Sequence, residues 1–502
     1  MPAPFRVLLV ATALAGVLLP AQAGGQASPY ISLDDSRLPL LEHLIARGEI
    51  EDPSPMVRPF RRADAVRVLA AADTSEFATR SLIRRLRVTL EDPSGNAWSL
   101  EGRAGAQVYS HAGRELLHPA GPDGIRPYAE LRGAAAFENV LLVTRPVVEP
   151  RMVDDPDWPG RRDLTVAGRI ADAYISAQFK YASLFYGQMD RNWGPVGLPG
   201  ISLSNYGYER QGLVLDIGTP TIRLSALATD LRDEIDALGR TVHRYYFVHR
   251  LHLRLSRKLS VAPWEGVIVA GADRNFETRY RNPLSFSYLA NTIGLGDRGN
   301  IILGTDVSWR AFGRTTLQAQ LAVDDFWIDD RERNRDRWAF TLGAQGPLWA
   351  SAAWRAFYTQ VSSLALRAFD PTENFTDAGV GIGRNFSDQD QLTLRISLPV
   401  RARWLLSPEL TLLRQGEGRI NDPYPIPDAN GVLHTPALFI GVVERTYRAA
   451  VGLSGRGGPL DLTANLGIHH VVNSGHQEGR TVNRFEGRLQ ATLGLARAGV
   501  LQ

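Results

Sequence analysis

The densest cluster of polar and aromatic residues in this chain is residues 187–195, which read Gly-Gln-Met-Asp-Arg-Asn-Trp-Gly-Pro. Two further residues of the same kinds, Asn205 and Tyr208, follow shortly after this run. Such side chains supply a bidentate donor, hydrogen-bond acceptors and flat apolar faces. This set suits a sugar ring, whose hydroxyl groups need paired polar partners and whose C–H face stacks on aromatic rings. The candidate sugar-binding residues are Arg191, Trp193, Asn205 and Tyr208.

The same cluster also has a purely structural interpretation. A strand that carries Tyr181, Ser183 and Phe185 leads into a loop broken by glycine and proline. A buried Arg–Asp pair and a tryptophan plug could hold that loop folded inward. The residue types alone leave both interpretations open.

Catalysis has little support in the sequence. The paired carboxylates Asp324-Asp325 and Asp329-Asp330, and the pair His469-His470 with His476, are the available candidates. Adjacent residues of a strand point to opposite faces, so none of these pairs converges without a bulge. The chain has no cysteine, which removes thiolate nucleophiles and cysteine metal sites. We therefore expect a protein that is not an enzyme and that holds neither a metal nor a cofactor.

Alternation of apolar and polar residues is the main structural signal after residue 95. In residues 244–259 one face is apolar, formed by Tyr245, Phe247, Leu251, Leu253, Leu255 and Leu259. The other face carries Arg244, Tyr246, Val248, Arg250, His252, Arg254, Ser256 and Lys258. Residues 391–404 and 484–495 repeat the pattern. A period of two that persists strand after strand is typical of a transmembrane β-barrel, whose outer face meets lipid.

The first 23 residues predict export. Arg6 is followed by an apolar run of about 13 residues, the length of a signal-peptide core and too short to span a bilayer as a helix. An Ala-Gln-Ala cleavage site then ends at Ala23. We predict a signal peptide over residues 1–23, so the mature chain is exported.

Residues 24–95 follow a helical period instead. Leu38, Leu41 and Leu44 mark one amphipathic helix, and two more are expected around residues 65–70 and 77–90. Three short helices bury little area, so we expect this segment to pack on or within a larger body.

Residues 96–502 are predicted to form the barrel. At about 22 residues for each strand with its connection, this length gives an even number of strands, about 18. The long polar stretches 325–338 and 415–436 are expected to be surface loops. The predicted fold class is therefore mainly β, a large antiparallel transmembrane barrel with a small N-terminal helical bundle.

The net charge of the chain says little about which partners it binds. The formal net charge is +3, which could reflect an anionic ligand but is small for 502 residues. Nucleic acid is not expected, because the chain has no basic block or base-stacking motif and is predicted to be exported.

A series of motifs resembles the capsule assembly Wzi family of outer-membrane β-barrels. Besides residues 187–195 it comprises, in order, 250–251 with 264–266, 281–284, 320–326, 415–418, 441–444, and Asn473 with His476 and Gly479. The series covers nearly the whole mature chain. One departure is the last strand, which ends Leu493-Gly494-Leu495 and runs on to Gln502 without the terminal aromatic common in such proteins.

The resemblance implies an 18-stranded outer-membrane barrel with an N-terminal helical bundle. It further implies a surface lectin, not an enzyme, that holds capsular or extracellular polysaccharide on the cell. The expected partners are that polysaccharide, outer-membrane lipid and the capsule export machinery. The arginine-rich inner faces leave an alternative open, namely a diffusion pore for anionic solutes or saccharides.

Overall fold

A computed structural model describes residues 27–72, 74, 77–91, 95–110, 117, 124–164, 166–297, 299–325 and 335–501. The predicted signal peptide, residues 1–23, lies outside the described residues, as does most of the predicted loop 325–338. Among the described residues, no helix is both long enough and apolar enough to cross a membrane.

The described residues form a closed barrel of 18 antiparallel strands. Each strand pairs with its sequence neighbours, and the last strand closes on the first through a register that runs from Ala97↔Val500 to Tyr109↔Arg488. The strands are β1 (Ala97–Tyr109), β2 (Gly124–Phe137), β3 (Val140–Val148), β4 (Gly168–Gln178), β5 (Ala182–Gln188), β6 (Gln211–Gly218), β7 (Ile222–Ile235), β8 (Thr241–Arg254), β9 (Leu259–Gly271), β10 (Asn300–Phe312), β11 (Thr315–Asp325), β12 (Arg337–Pro347), β13 (Ala353–Val361), β14 (Gln389–Val400), β15 (Trp404–Gln415), β16 (Glu444–Gly457), β17 (Leu460–Val472) and β18 (Thr481–Val500). The predicted fold class is confirmed.

The alternating pattern sorts side chains to the two faces of the wall as predicted. On β14, Leu392 and Leu394 point outward and are exposed. Thr393 between them is buried, points into the lumen and forms a hydrogen bond with Thr411 of the neighbouring strand β15. Outward apolar residues also line up across neighbouring strands, because register places them side by side. One such row is Leu142, Ile175, Tyr186 and Leu213. The outer wall is therefore an apolar belt.

The two ends of the barrel differ. At one end the strands are joined by tight turns, such as residues 313–314 between β10 and β11. At the other end the connections are long, as in residues 189–210, 362–388 and 416–443. We call these the short-turn end and the long-loop end.

Three described α-helices precede the barrel: α1 (Leu38–Ala46), α2 (Arg62–Ala70) and α3 (Phe77–Leu90). Their apolar faces share one buried cluster that includes Leu405 of the barrel wall. The helices lie at the short-turn end, where Arg47 of the α1 cap donates to the Ala352 carbonyl at 2.5 Å and Arg85 donates to the Arg456 carbonyl at 2.9 Å. The division at residues 95–96 into two domains stays a prediction, and the first barrel strand begins at Ala97.

Candidate functional site

The lumen is filled at mid-height by a buried polar network. Asp306 of β10 accepts hydrogen bonds from Arg250 at 3.0 Å, Trp264 at 3.1 Å and Gln320 at 2.9 Å. Gln320 also donates to the Trp193 carbonyl at 2.9 Å, which ties the wall to the loop 189–210. Residues of four neighbouring strands, β8 to β11, therefore meet at one carboxylate, and Gln320 connects them to the loop.

Other inward arginines are likewise paired with carboxylates. Arg145 lies 2.8 Å from Asp172, and Glu409 pairs with both Arg395 and Arg448. Much of the positive charge on the inner faces is thus neutralised by acidic groups on neighbouring strands. Pairing of this kind keeps buried charges from being left uncompensated.

Trp193 occupies a structural position. Its side chain is only 2% exposed, and the two-residue strand Asn192–Trp193 pairs with Val57–Arg58 of the N-terminal segment. Both faces of the indole are therefore enclosed, and no face is left for stacking on a sugar. The structure agrees with the second interpretation of this tryptophan, a plug that holds the loop inward.

The other three candidates lie apart from one another. Arg191 is half-buried, and its guanidinium carbon is 4.3 Å from the centre of the Phe185 ring. Asn205 is exposed and lines a lumenal cavity. Tyr208 lies on the long-loop side. The four predicted residues do not form one site.

The cavity at Asn205 has a volume of about 460 Å³ and lies between α1, the loop 189–210 and the wall. Its described charged and polar lining includes Glu42, Arg58, Asn205, Arg355, Arg395 and Arg488. Arg58 pairs with Glu42 at 2.5 Å and Arg395 pairs with Glu409, so Arg355 and Arg488 set the sign of the charge in this cavity. This cavity would favour an anionic guest.

Tyr208 belongs to an aromatic pair between two long loops. Its ring meets that of Trp158 edge-on, with centroids 4.6 Å apart and planes at 69°. The Tyr208 hydroxyl donates to Asp155 at 2.7 Å, and Asp155 is fully buried and also paired with Arg151. Both rings are half-buried, so each keeps part of its surface accessible. Arg162 borders this pair and donates to the Trp158 carbonyl at 3.2 Å.

A second aromatic pair joins two other long loops. Phe369 is 61% exposed, and its ring centroid lies 4.2 Å from that of Tyr424. Arg337 lies 5.7 Å from the Tyr424 ring, and Arg367 donates to the Asp422 carbonyl at 3.0 Å. Arg337 also pairs with Asp325, so aromatic faces are again placed beside guanidinium and carboxylate groups, the combination that suits sugars.

The long loops are fastened to each other by a buried carboxylate. Asp388, the residue directly before β14, accepts backbone hydrogen bonds from Phe439 at 2.5 Å, Ile440 at 2.9 Å and Gly418 at 3.1 Å. Its side chain holds both ends of the connection 416–443 at one point. This connection carries Tyr424, so the second aromatic pair rests on an anchored loop.

Sequence reasoning found Tyr208 but missed Trp158, Phe369 and Tyr424. These three lie in separate long connections, and only the folded barrel brings each ring to its partner. The sequence did carry one signal for Trp158. Pro159-Gly160 directly after it predicts a turn, and residues beside a turn are commonly at the surface. Among the described residues, no group of three or more His, Asp and Glu could hold a metal ion.

Comparison with known proteins bears on the fold. No protein-family model matches the chain, and no curated protein matches it. The structure of Wzi, an outer-membrane protein involved in group 1 capsule assembly in Escherichia coli and described as a carbohydrate-binding β-barrel, superposes with a TM-score of 0.63. It is 13% identical and covers 94% of this chain and 99% of its own. Pseudomonas aeruginosa OprD matches with a TM-score of 0.44, at 10% identity over 80% of this chain and 95% of its own. The chain is therefore an 18-stranded barrel with the fold of Wzi.

Proposed function

We propose that this chain is an outer-membrane barrel that binds or anchors capsular or extracellular polysaccharide at the cell surface. It acts by binding and not by catalysis. The location is supported by the apolar outer belt and by closure of the sheet, which leaves no unpaired strand edge toward lipid. The long-loop end then faces outward from the cell, as in barrels of this kind.

The observation that carries the proposal is where the accessible aromatic rings lie. The pairs Trp158–Tyr208 and Phe369–Tyr424 lie on long loops, beside arginines and carboxylates, while the lumen below them is filled by paired charges. A surface of this composition retains a polymer that is too long to pass through a filled barrel. The carbohydrate binding described for Wzi supports the same ligand class. The capsule export machinery is the protein partner that we propose.

A diffusion pore for anionic solutes or saccharides is the second candidate. The cavity that contains Arg355, Arg395 and Arg488 favours it, since its volume and charge suit a small anion. Conductance of the purified protein in planar bilayers separates the two functions. The binding function predicts no discrete channels, whereas anion-selective channels would favour the pore.

Two alanine variants test the binding surface. We expect Trp158→Ala and Phe369→Ala each to lower binding of the purified barrel to its polysaccharide several-fold, because each removes a stacking face. Tyr181→Ala is the matched control: this tyrosine is 55% exposed but lies at the short-turn end. Heat-modifiable migration in gels verifies that each variant is folded. Equal binding by all three variants would remove the long-loop aromatic rings from the site.

A further inference from the structure

The connection between β9 and β10 lies against the outer wall of the barrel. We call residues 272–297 the wall loop. Tyr280 of this loop is fully buried and stacks on Phe247, with ring centroids 5.7 Å apart and planes at 17°. Phe247 faces outward, since its neighbour Tyr246 reaches into the lumen and donates to the Ser202 carbonyl. The wall loop therefore covers part of the outer face and does not stand above the mouth.

The wall loop reaches well down the barrel. The backbone N–H groups of Ser287 and Tyr288 donate to the Glu265 carboxylate at 2.8 and 3.3 Å. Glu265 lies six residues before β9 ends at Gly271. At about 3.3 Å per residue and a tilt of about 40°, this is a descent of about 15 Å from the long-loop end.

Glu265 is an outward-facing carboxylate, and it is only 1% exposed because the wall loop covers it. It hydrogen-bonds His249 of β8 at 2.9 Å as well as the two backbone groups of the loop. A carboxylate left bare on the lipid-facing wall is strongly unfavourable. The wall loop and His249 together give it partners and remove it from the surface.

Between residues 284 and 295 the wall loop exposes an apolar face. Its most exposed apolar residues are Leu284, Phe286, Leu289, Ile293 and Leu295, with exposed fractions from 46% to 82%. This patch continues the apolar belt of the outer wall. An exposed apolar patch of this kind is unfavourable in water and marks a surface that contacts protein or lipid.

Other backbone groups of the same stretch are paired within it. Residues Tyr288–Ile293 form one turn of π-helix, in which the Ala290 N–H donates to the Phe286 carbonyl at 2.9 Å, and the Gly294 N–H that follows it donates to the Leu289 carbonyl at 2.9 Å. The ion pairs of the loop lie outside residues 284–295: Arg274 meets Asp297 at 2.8 Å and Arg281 meets Asp230 at 3.2 Å. Internal hydrogen bonding is the requirement for any backbone segment in the hydrocarbon region.

We infer that residues 284–295 are immersed in the acyl chains of the outer leaflet and are clipped to the barrel by Glu265. The partner of this surface is lipid, not polysaccharide and not a second copy of the chain. The inference rests on the proposed membrane location. The new element of the inference is a segment outside the barrel wall that lies within the bilayer.

Spin labels test the immersion, since the chain has no cysteine and an introduced one is labelled uniquely. Leu289→Cys, Leu410→Cys and Leu238→Cys are labelled in barrels reconstituted into phosphatidylcholine vesicles. Leu410 is 61% exposed on the belt, and Leu238 is 77% exposed in the β7–β8 connection at the long-loop end. We expect the label at 289 to match the label at 410, accessible to oxygen and protected from a water-soluble nickel complex.

The labels at 410 and 238 distinguish a failure of the membrane location from a failure of the wall-loop immersion. A nickel-accessible label at 410 would overturn the membrane location itself. A label at 289 that behaves like the label at 238, with 410 in lipid, would overturn only the immersion of the wall loop. Contact between two labels at 289, seen as dipolar broadening, would instead indicate a second copy as the occupant.

Ser287→Pro tests the clip without touching the barrel strands. Proline removes the N–H that Ser287 donates to Glu265, and the φ of −63° at this position is one that proline adopts. In this background the label at 289 should gain mobility and nickel accessibility. An unchanged label would overturn the clip.

Discussion

Single residues in the lumen show how an arginine-rich inner face can be stable. Arg250 is 4% exposed and meets the buried carboxylate of Asp306 at 3.0 Å. Removing one partner of such a pair costs far more than an exposed pair contributes, because the remaining charge stays buried. The inward arginines are therefore structural groups first.

Asp306→Ala tests this directly. We expect the variant to lose about 3–5 kcal/mol of unfolding free energy, since Arg250 would be buried without its carboxylate. Asp163→Ala is the control, because Asp163 pairs with Arg161 in an exposed position. Denaturant unfolding followed by heat-modifiable migration measures both. Equal stability of the two variants would contradict a structural role for the Arg250–Asp306 pair.

Trp193→Ala separates a plug from a ligand-stacking residue. We expect a loss of about 3–5 kcal/mol in stability, because the variant leaves a large cavity between the loop and the N-terminal segment. The temperature at which the barrel unfolds should fall. A variant of normal stability that has lost polysaccharide binding would restore Trp193 to the binding site.

His43 of α1 predicts a dependence on pH. Burial, followed by the nearby Arg47, lowers the pKa of His43 to about 3. Above pH 6.5 both folded and unfolded states keep it neutral; as pH falls below that value only the unfolded state takes up the proton, so stability declines. We expect His43→Gln to reduce the drop in thermal midpoint between about pH 7 and about pH 5. An equal drop in both proteins would contradict this role.

At the scale of elements, the helical segment depends on the barrel. Its cluster includes Leu405 of the wall, and Ser36 donates to Asp461 of β17 at 2.7 Å. We expect residues 24–95 alone to show no cooperative unfolding transition by circular dichroism, because three short helices bury too little surface. A sharp transition with a defined midpoint would show that the segment folds on its own.

Strands and helices were predictable because their patterns are local. The period of two at residues 244–259 gave the two faces of β8 correctly, with Arg250 inward and Phe247 outward. The wall loop was not predictable in this way. Its position depends on a contact between Glu265 and backbone groups more than 20 residues later, which leaves no periodic trace.

The predicted site shows the same limit. Residue clustering singled out the loop that holds Trp193 and Tyr208, and this loop does reach both the lumen and the long-loop end. However, residues that are close in sequence within this loop point to different places, and the Tyr208 ring contacts Trp158, which lies about 50 residues earlier in the chain. Sequence proximity identified the residue types but could not gather them into a site.

At the scale of the whole molecule, the helices occupy one end of the barrel, paired charges fill its middle, and anchored loops with aromatic rings form the other end. This arrangement gives a rigid surface without requiring passage through the lumen. A filled barrel presenting such a surface fits retention of a polymer better than transport of a solute.

Binding of the purified, folded barrel to an array of bacterial capsular and extracellular polysaccharides tests this account most directly. We predict saturable binding to a subset of these glycans, retained by Tyr181→Ala and weakened by Trp158→Ala. Heat-unfolded protein should not bind. Absence of binding to every glycan by protein verified as folded, together with discrete conductance in planar bilayers, would contradict the account.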